Sequence, residues 1–335
     1  MKEALLYIPL DNLAVRCRLC AHSCKIGEGK FGFCGVRQNI GGILYANNYG
    51  KIVAANVDPV EKKPLYHFLP GTKTFSIASA GCNFRCGFCQ NWQISQTNYI
   101  DQNLKKEVSA AQIVRLAQQH GCRSIAYTYT EPTVYFEFAL ETAKLAKVAG
   151  LYNIFVTNGY LSAPAIEMLL PYLDAVNVDL KFFKESSYQK ICCAKLKPVL
   201  DTIQFLNDAK IWTEITTLVI PGENDTASEL SAIANFIIGV NRNIPWHLCA
   251  FHAEYKFNTY PSTPENTLKM AFDLGKKQGL NYVYAGNVTG WGEDTFCSNC
   301  RKALIKRVGF VVTENNVLAN KCKFCNAELA GLVIS

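Results

Sequence analysis

The chain has 335 residues, 49% apolar and 18% charged by type, which is enough hydrophobic material for a sizeable core and excludes a disordered or fibrous chain. No apolar run approaches the ~18 residues of a membrane span, and the first residues carry no pattern of a secretory signal. The net charge of +7 is too small to argue for nucleic acid by itself.

Cysteine is the unusual component. There are fifteen, and eleven fall into three tight clusters. In a long chain without an export signal such spacing points to metal rather than disulfides, and so to a reducing cytoplasm. Composition divides the chain into a cysteine- and glycine-rich N-terminal module (1–72), a central region (73–290) and a small cysteine-bounded tail (291–335).

In chain order, the first cluster is Cys17, Cys20, Cys24 and Cys34, a four-thiolate set with His22 inside it and Gly27, Gly29, Gly32 and Gly35 for tight turns. The central region then alternates short β-branched or aromatic runs with helical patterns. Strands are expected at 74–79, 124–130, 153–157, 175–180, 212–219 and 246–251, with a seventh candidate at 282–285. Ser109 with Gln112 and Thr226 with Glu229 read as capping boxes. Gly121, Gly150 and Gly279 sit where helix-ending glycines belong, and Thr263 reads as an N-cap before Pro264. Repeated strand–helix–strand units imply parallel strands with right-handed crossovers, as an open doubly wound sheet or a full or partial barrel. In either case the chemistry belongs at the C-terminal strand ends.

Directly after the first of these strands comes Gly81-Cys82-Asn83-Phe84-Arg85-Cys86-Gly87-Phe88-Cys89-Gln90-Asn91-Trp92. Its C-x3-C-x2-C spacing brings three thiols to one short loop. A structural zinc site wants four ligands. Three suit a cubane iron–sulfur cluster with one iron left open to substrate or cosubstrate. The alternative is zinc with a distant fourth ligand.

That loop, at that strand end, resembles the radical S-adenosylmethionine (radical SAM) superfamily. The upstream segment from Asp58 to Gly71 and the downstream Cys89-Gln90-Asn91-Trp92 resemble its AmmeMemoRadiSam family, related to pyruvate formate-lyase activating enzymes. The resemblance implies an α/β fold with a partial (β/α)6-type TIM barrel and a 4Fe–4S cluster on Cys82, Cys86 and Cys89. It further implies that S-adenosylmethionine is bound at the fourth iron and cleaved reductively to a 5′-deoxyadenosyl radical that takes hydrogen from a substrate. Phe88 would pack near the adenine. An electron donor such as flavodoxin or ferredoxin and Memo- or AMMECR-type partner proteins are implied as well.

Other strand ends supply candidates. Pro132 holds Glu131 extended, which suits an ammonium; by resemblance Thr130-Glu131 stands where the family's Gly-Gly-Glu motif holds the methionine amine. Asn158, Asp179 and Lys181 match positions that contact the methionyl part and the ribose. Lys181 would pair with the cosubstrate carboxylate and Asp179 would orient it. The turn from Val219 to Asp225 would meet the adenine, and Gly286-Asn287 is a weaker match. On the sixth strand alternation puts Trp246, Leu248, Ala250 and His252 on one face, and His252 matches a family His-Pro pair although Ala253 replaces the proline.

The tail carries Cys297, Cys300, Cys322 and Cys325, two C-x2-C knuckles that fit a tetrahedral four-sulfur site. Both outer sets read as structural, with zinc favoured for the tail, although both zinc and iron accept four thiolates; the N-terminal set suits zinc or an auxiliary cluster equally. The remaining Cys122, Cys192, Cys193 and Cys249 read as buried, unreactive thiols. Three functions compete: a radical enzyme, concretely a glycyl-radical activase; a radical enzyme modifying RNA through the basic tail, where six Lys/Arg face one acid over 297–325; and a non-enzymatic zinc-ribbon binding module. No membrane partner is expected.

Overall fold

A computed structural model describes residues 1–96 and 107–332. Its centre is an eight-stranded sheet made of β1 (Ile52–Pro59), β2 (Lys73–Ser79), β3 (Ser124–Tyr127), β4 (Tyr152–Thr157), β5 (Ala175–Asp179), β6 (Trp212–Val219), β7 (Trp246–Ala250) and β8 (Val283–Gly286). The spatial order equals the chain order from β1 to β8. β2 to β8 are parallel, and β1 adds to β2 antiparallel at the edge.

This order decides between the two architectures. Right-handed crossovers that always step the same way put every helix on one face of the sheet. The other face must then curl around its own interior, which gives the partial barrel and not the doubly wound sheet. The crossovers carry α1 (Ala110–Gln119), α2 (Phe136–Val148), α3 (Ala163–Leu169), α4 (Leu196–Asp208), α5 (Ala227–Asn241) and α6 (Glu265–Gln278).

Local signals account for most helix ends. Ser109 and Gln112 form a reciprocal capping box at α1, and Gly279 ends α6 in the left-handed region at φ 108°. Two expected caps differ. Thr226 accepts from the Glu229 N–H, but the Glu229 carboxylate turns away to accept from Phe183 N and pair with Lys184. Thr263 does not cap α6, whose N-cap is Pro264; it donates to Val219 O at 2.6 Å and accepts from Phe251 N at 2.7 Å. A hydroxyl that joins two strand-end loops is spent before it can serve the helix.

The segment after β1 forms the floor of the barrel. The backbone N–H groups of Tyr66 and His67 donate to the two carboxylate oxygens of Glu214, an interior residue of β6, at 3.0 and 2.9 Å. His247 of β7 reaches the same carboxylate at 2.6 Å. His67 is fully buried, between Ala330 O at 2.8 Å and Tyr284 OH at 2.6 Å. Arg307 comes up from the tail, donates to Tyr66 O at 2.7 Å and lies over the Tyr66 ring. The tail itself is a ribbon of short antiparallel strands, Thr295–Phe296, Ala303–Val308 and Val311–Asn315.

This floor makes the fold acid-sensitive. Burial pushes His67 down to about 4, so between pH ~6.5 and 4 the unfolded chain binds a proton that the folded chain refuses. Glu214 is buried too, but the His247 hydrogen bond and charge outweigh that and hold it below the usual carboxylate range; its contribution is likewise lost as acid protonates it. Both terms have the same sign. The thermal midpoint is expected to fall from pH 6.5 to pH 4, and His67→Asn is expected to flatten that slope; an unchanged slope would rule His67 out as its source.

Candidate active site

β2 ends at Ser79 and the chain must turn at once. Gly81 makes that turn at φ 102°, where an added Cβ would lie 2.7 Å from Val36 Cγ1 and 3.1 Å from Cys34 O. Only glycine fits there. The cysteine loop that follows is tied down on both sides: Arg85 N donates to Cys192 O at 2.9 Å, and the Arg85 guanidinium donates to Cys82 O at 2.8 Å, to Phe84 O at 2.9 Å and to Phe33 O.

Cys82, Cys86 and Cys89 all line one cleft of about 660 Å³ at the C-terminal end of the barrel, within the ~300–1,000 Å³ usual for small-molecule sites. The Cys82 sulfur accepts from Phe84 N at 3.3 Å. Cys89 lies 3.1 Å from Ser95 Oγ, and Cys86 lies 3.6 Å from the buried Cys192 sulfur. Burial pushes the thiol of Cys82 up, with Glu131 nearby adding to it, and Cys192 followed by burial does the same for Cys86. Buried thiols of this kind become thiolates only when a metal centre replaces the proton.

Most of the other expected residues gather around this loop; His252 and the Val219–Asp225 turn do not line the cleft. Phe88 is buried edge-on against Phe182 and Phe257, with the Lys181 ammonium 5.7 Å from its ring centre. Lys181 Nζ is 2.8 Å from Asp179 Oδ2. Burial opposes the lysine charge, but the Asp179 carboxylate outweighs it and holds Lys181 well above the ordinary lysine range. Thr130 donates to Ser79 O at 2.6 Å and so locks β2 to the loop after β3. Glu131 is extended, as Pro132 requires, and buried. Its Oε1 takes Thr133 N at 3.0 Å, the Thr133 hydroxyl and Thr157 Oγ1 at 2.8 Å, while Oε2 takes Asn158 N at 2.8 Å. Burial pushes the Glu131 carboxyl up from its usual range. Asn158 Nδ2 in turn reaches Asn83 Oδ1 at 2.7 Å, next to Cys82.

His252 is one of the two that stay outside, and the turn from Val219 to Asp225, expected to meet the adenine, is the other. His252 is exposed and does not line the cleft. β7 ends at Ala250, so His252 lies beyond the strand, and Trp246, Leu248 and Ala250 face the helices: Trp246 packs on Gly275 of α6, where a Cβ would stand 3.0 Å from the indole. The interior face belongs to His247 and Cys249, which do line the cleft, with Thr216 and Leu218 of β6 beside them. His247 was not singled out from the sequence. The signal was the Glu214–Thr216–Leu218 alternation, whose polar members mark the inward side. Lys62, Lys63, Asn287 and the tail residue Phe310 complete the rim.

Two of the leftover thiols also differ from expectation. Cys193 is exposed, and Cys249 is a cleft residue; Cys122 and Cys192 are buried. In the tail, the Cys297–Cys325 and Cys300–Cys322 sulfur pairs stand 3.6 and 3.7 Å apart, and all four sulfurs lie within 4.8 Å of one another. Four sulfurs at ~2.3 Å from one tetrahedral ion would stand ~3.8 Å apart. The tail therefore fits a single zinc or iron ion. Cys17, Cys20, Cys24 and Cys34 line a separate small cavity.

Comparison with known proteins agrees with this geometry. A family model described as the radical SAM superfamily matches residues 76–237. The chain is 43% identical over 333 residues to the uncharacterized protein MJ0808 of Methanocaldococcus jannaschii, covering 98% of this chain and 99% of that one. It is 27% identical over 195 residues to a protein of the same organism named as a glycyl-radical enzyme activating enzyme, covering 57% of this chain and 71% of that one. Among solved structures, SuiB of Streptococcus suis bound to S-adenosylmethionine superposes with a TM-score of 0.53 at 15% identity, over 72% of this chain and 57% of that one. At that identity the likeness speaks for the fold. Among the described residues no helix is long and apolar enough to cross a membrane.

Proposed function

The chain belongs to the radical SAM superfamily, whose cofactors are a 4Fe–4S cluster and S-adenosylmethionine, and on that premise we propose that it is an activating-enzyme-like radical enzyme acting on a protein partner. One observation carries this reading: three thiols on one loop open into the same cleft as Glu131, Asn158 and the Asp179–Lys181 pair. Three is the number that leaves one iron of a cubane open. Bound on Cys82, Cys86 and Cys89, the cluster would supply the electron that cleaves S-adenosylmethionine to a 5′-deoxyadenosyl radical, which takes a hydrogen atom from the substrate.

The protein's own residues bind and orient. Lys181, kept charged by Asp179 at 2.8 Å, offers the counter-charge for a carboxylate. Glu131 spends Oε1 on three donors and keeps acceptor capacity on Oε2, which takes one; that is where an ammonium would dock. Its grip on Thr157 and Asn158 also fixes the turn beside Cys82. Phe88, buried against Phe182 and Phe257, offers an apolar wall for a purine.

The relative named as an activating enzyme supports a protein substrate and an external one-electron donor of the flavodoxin or ferredoxin class. The AmmeMemoRadiSam assignment and Memo- or AMMECR-type partners are part of this proposal. The RNA reading is weaker than the tail's composition suggested. Arg307 is buried in the barrel floor, and Lys306 is paired with Glu314 at 2.8 Å, so the basic face is thinner than its sequence.

The test is anaerobic. Protein reconstituted with iron and sulfide, given dithionite and S-adenosylmethionine, is expected to release 5′-deoxyadenosine. With Memo- or AMMECR-type partner protein labelled by deuterated glycine, deuterium is expected in that product by mass spectrometry. Deuterium arriving instead from ribose-labelled bulk RNA would replace the protein-substrate reading, and absence of 5′-deoxyadenosine from cluster-loaded protein would remove the enzyme reading.

A further inference from the structure

The residues expected to hold the cosubstrate come from the ends of β2 to β5. β6 and β7 contribute a different stretch of the cleft wall, and it is polar. Thr216 of β6 and His247 of β7 are paired in register, both line the cleft, and both are buried, at 8% and 3% exposure. β3, β4 and β5 separate this wall from β2 in the sheet order, so the curl of the sheet sets it across the cleft from the cysteine loop.

Thr216 differs from its neighbours on the same strand. Thr213 donates to Ile211 O at 3.1 Å and Thr217 to Leu180 O at 2.9 Å, whereas Thr216 Oγ1 is buried without a partner. Leaving a buried hydroxyl unpaired costs ~1–3 kcal/mol, and valine suits a strand equally well without that cost. The fold does not call for this oxygen.

His247 is held in one orientation. Its Nε2 lies 2.6 Å from Glu214 Oε2. Glu214 is fully buried and is itself fixed by Tyr66 N at 3.0 Å, His67 N at 2.9 Å and Trp212 Nε1 at 2.9 Å. The imidazole stacks on Tyr284 with ring centres 5.2 Å apart and meets the Tyr66 ring edge-on at 4.8 Å. A carboxylate only accepts, so Nε2 carries the hydrogen and Nδ1 of the neutral ring presents a lone pair. Among the described residues Nδ1 has no hydrogen-bond partner. With Nε2 spent on Glu214, Nδ1 is the nitrogen left for a ligand in the cleft.

The wall thus offers a hydroxyl that can donate and a nitrogen that accepts, on neighbouring strands ~4.8 Å apart. The matching group presents an acceptor and a donor side by side. An extended residue of a polypeptide does so: its own C=O and N–H point the same way, which is how opposed strands exchange two hydrogen bonds. We propose that Thr216 and His247 form the substrate subsite of the cleft and take the C=O and N–H of one extended residue, the residue that loses its hydrogen atom. Glu214 acts through His247 and is a positioning residue. Glycine is the residue whose backbone comes this close to a wall with no Cβ in the way. The subsite deepens, and rests on, the reading of a protein substrate.

The experiment measures the fraction of 5′-deoxyadenosine that carries deuterium when cluster-loaded protein turns over with the glycine-deuterated Memo- or AMMECR-type partner below saturation. Thr216→Val is expected to lower that fraction by about three- to tenfold, the loss of one hydrogen bond to the substrate, without lowering the thermal midpoint of the substrate-free protein. Two changes at His247 separate a substrate contact from a floor contact. Asn places its amide where Nδ1 stood and gives up Glu214; Gln places its amide where Nε2 stood and keeps Glu214. His247→Asn is expected to retain more of the deuterium transfer, and His247→Gln more of the thermal stability. Better transfer by His247→Gln, a lowered midpoint for Thr216→Val, or equal fractions in all variants would overturn the subsite. No deuterium from the partner even with the unaltered protein would remove the protein-substrate reading itself, and the subsite with it.

Discussion

Cys86→Ala is expected to abolish 5′-deoxyadenosine formation and to remove the iron held by the central loop. The loss should exceed the ~10–100-fold that follows removal of a residue merely supporting a metal ligand, because a cubane deprived of one of three thiolates has no protein ligand at that corner. The neighbourhood makes the prediction sharp. The Cys192 sulfur lies 3.6 Å from that of Cys86 and is a rival for the same iron. If Cys86 is the ligand, Cys192→Ala keeps the iron and costs at most the smaller factor. Iron lost from Cys192→Ala and kept in Cys86→Ala would transfer the role to Cys192, and the C-x3-C-x2-C reading would lose one of its members. Iron and sulfide analysis, run beside product detection, separates the two.

Arg37→Met is expected to destabilise the fold by ~3–5 kcal/mol, the usual cost of removing one partner from a buried ion pair. The pair is 1% and 3% exposed, so water cannot take the arginine's place. Glu137 also accepts from Leu5 N at 3.0 Å, so its carboxylate anchors the N-terminal strands to α2. Left charged, it would sit uncompensated in that joint; protonated, it would give up part of both contacts. Urea unfolding of metal-loaded protein measures the effect. The double variant Arg37→Met, Glu137→Met should recover much of the loss, since two apolar side chains of similar size can replace a buried pair. A single-variant cost under ~1 kcal/mol would mean that the pair behaves as a surface contact.

Much of the fold was legible because its signals are local. Alternating β-branched runs, Ser109 with Gln112, and Gly279 each act within a few residues, and the seven expected strands, β2 to β8, begin and end within three residues of expectation, whereas the edge strand β1 was not expected. The Cys82–Cys89 loop was legible for the same reason. What escaped depends on contacts between distant parts of the chain. Alternation says that Trp246 and His252 share a face but not which face is inward; Gly275, in a helix 29 residues on, settles it by leaving room for the indole. Thr263 looks like a cap until Val219 O and Phe251 N claim its hydroxyl. Glu214 lies in a run that reads as a buried strand, and its partners Tyr66 and His67 come from nearly 150 residues upstream. The tail tetrad was legible as two C-x2-C knuckles, and its four sulfurs do come within 4.8 Å of one another.

The barrel floor has a consequence for how the chain is made. Leu332 exchanges backbone hydrogen bonds with the 67–69 segment at 2.7 and 2.8 Å, and Arg307 fills the space against Tyr66 and Glu61. β1 to β8 can pair as they leave the ribosome, but the underside stays open until residue 332 has emerged. A chain that stopped before that point would lack the Ala330 carbonyl that His67 meets at 2.8 Å and the Leu332 pairing that closes the floor, so truncation at residue 300 is expected to leave the barrel open at this end.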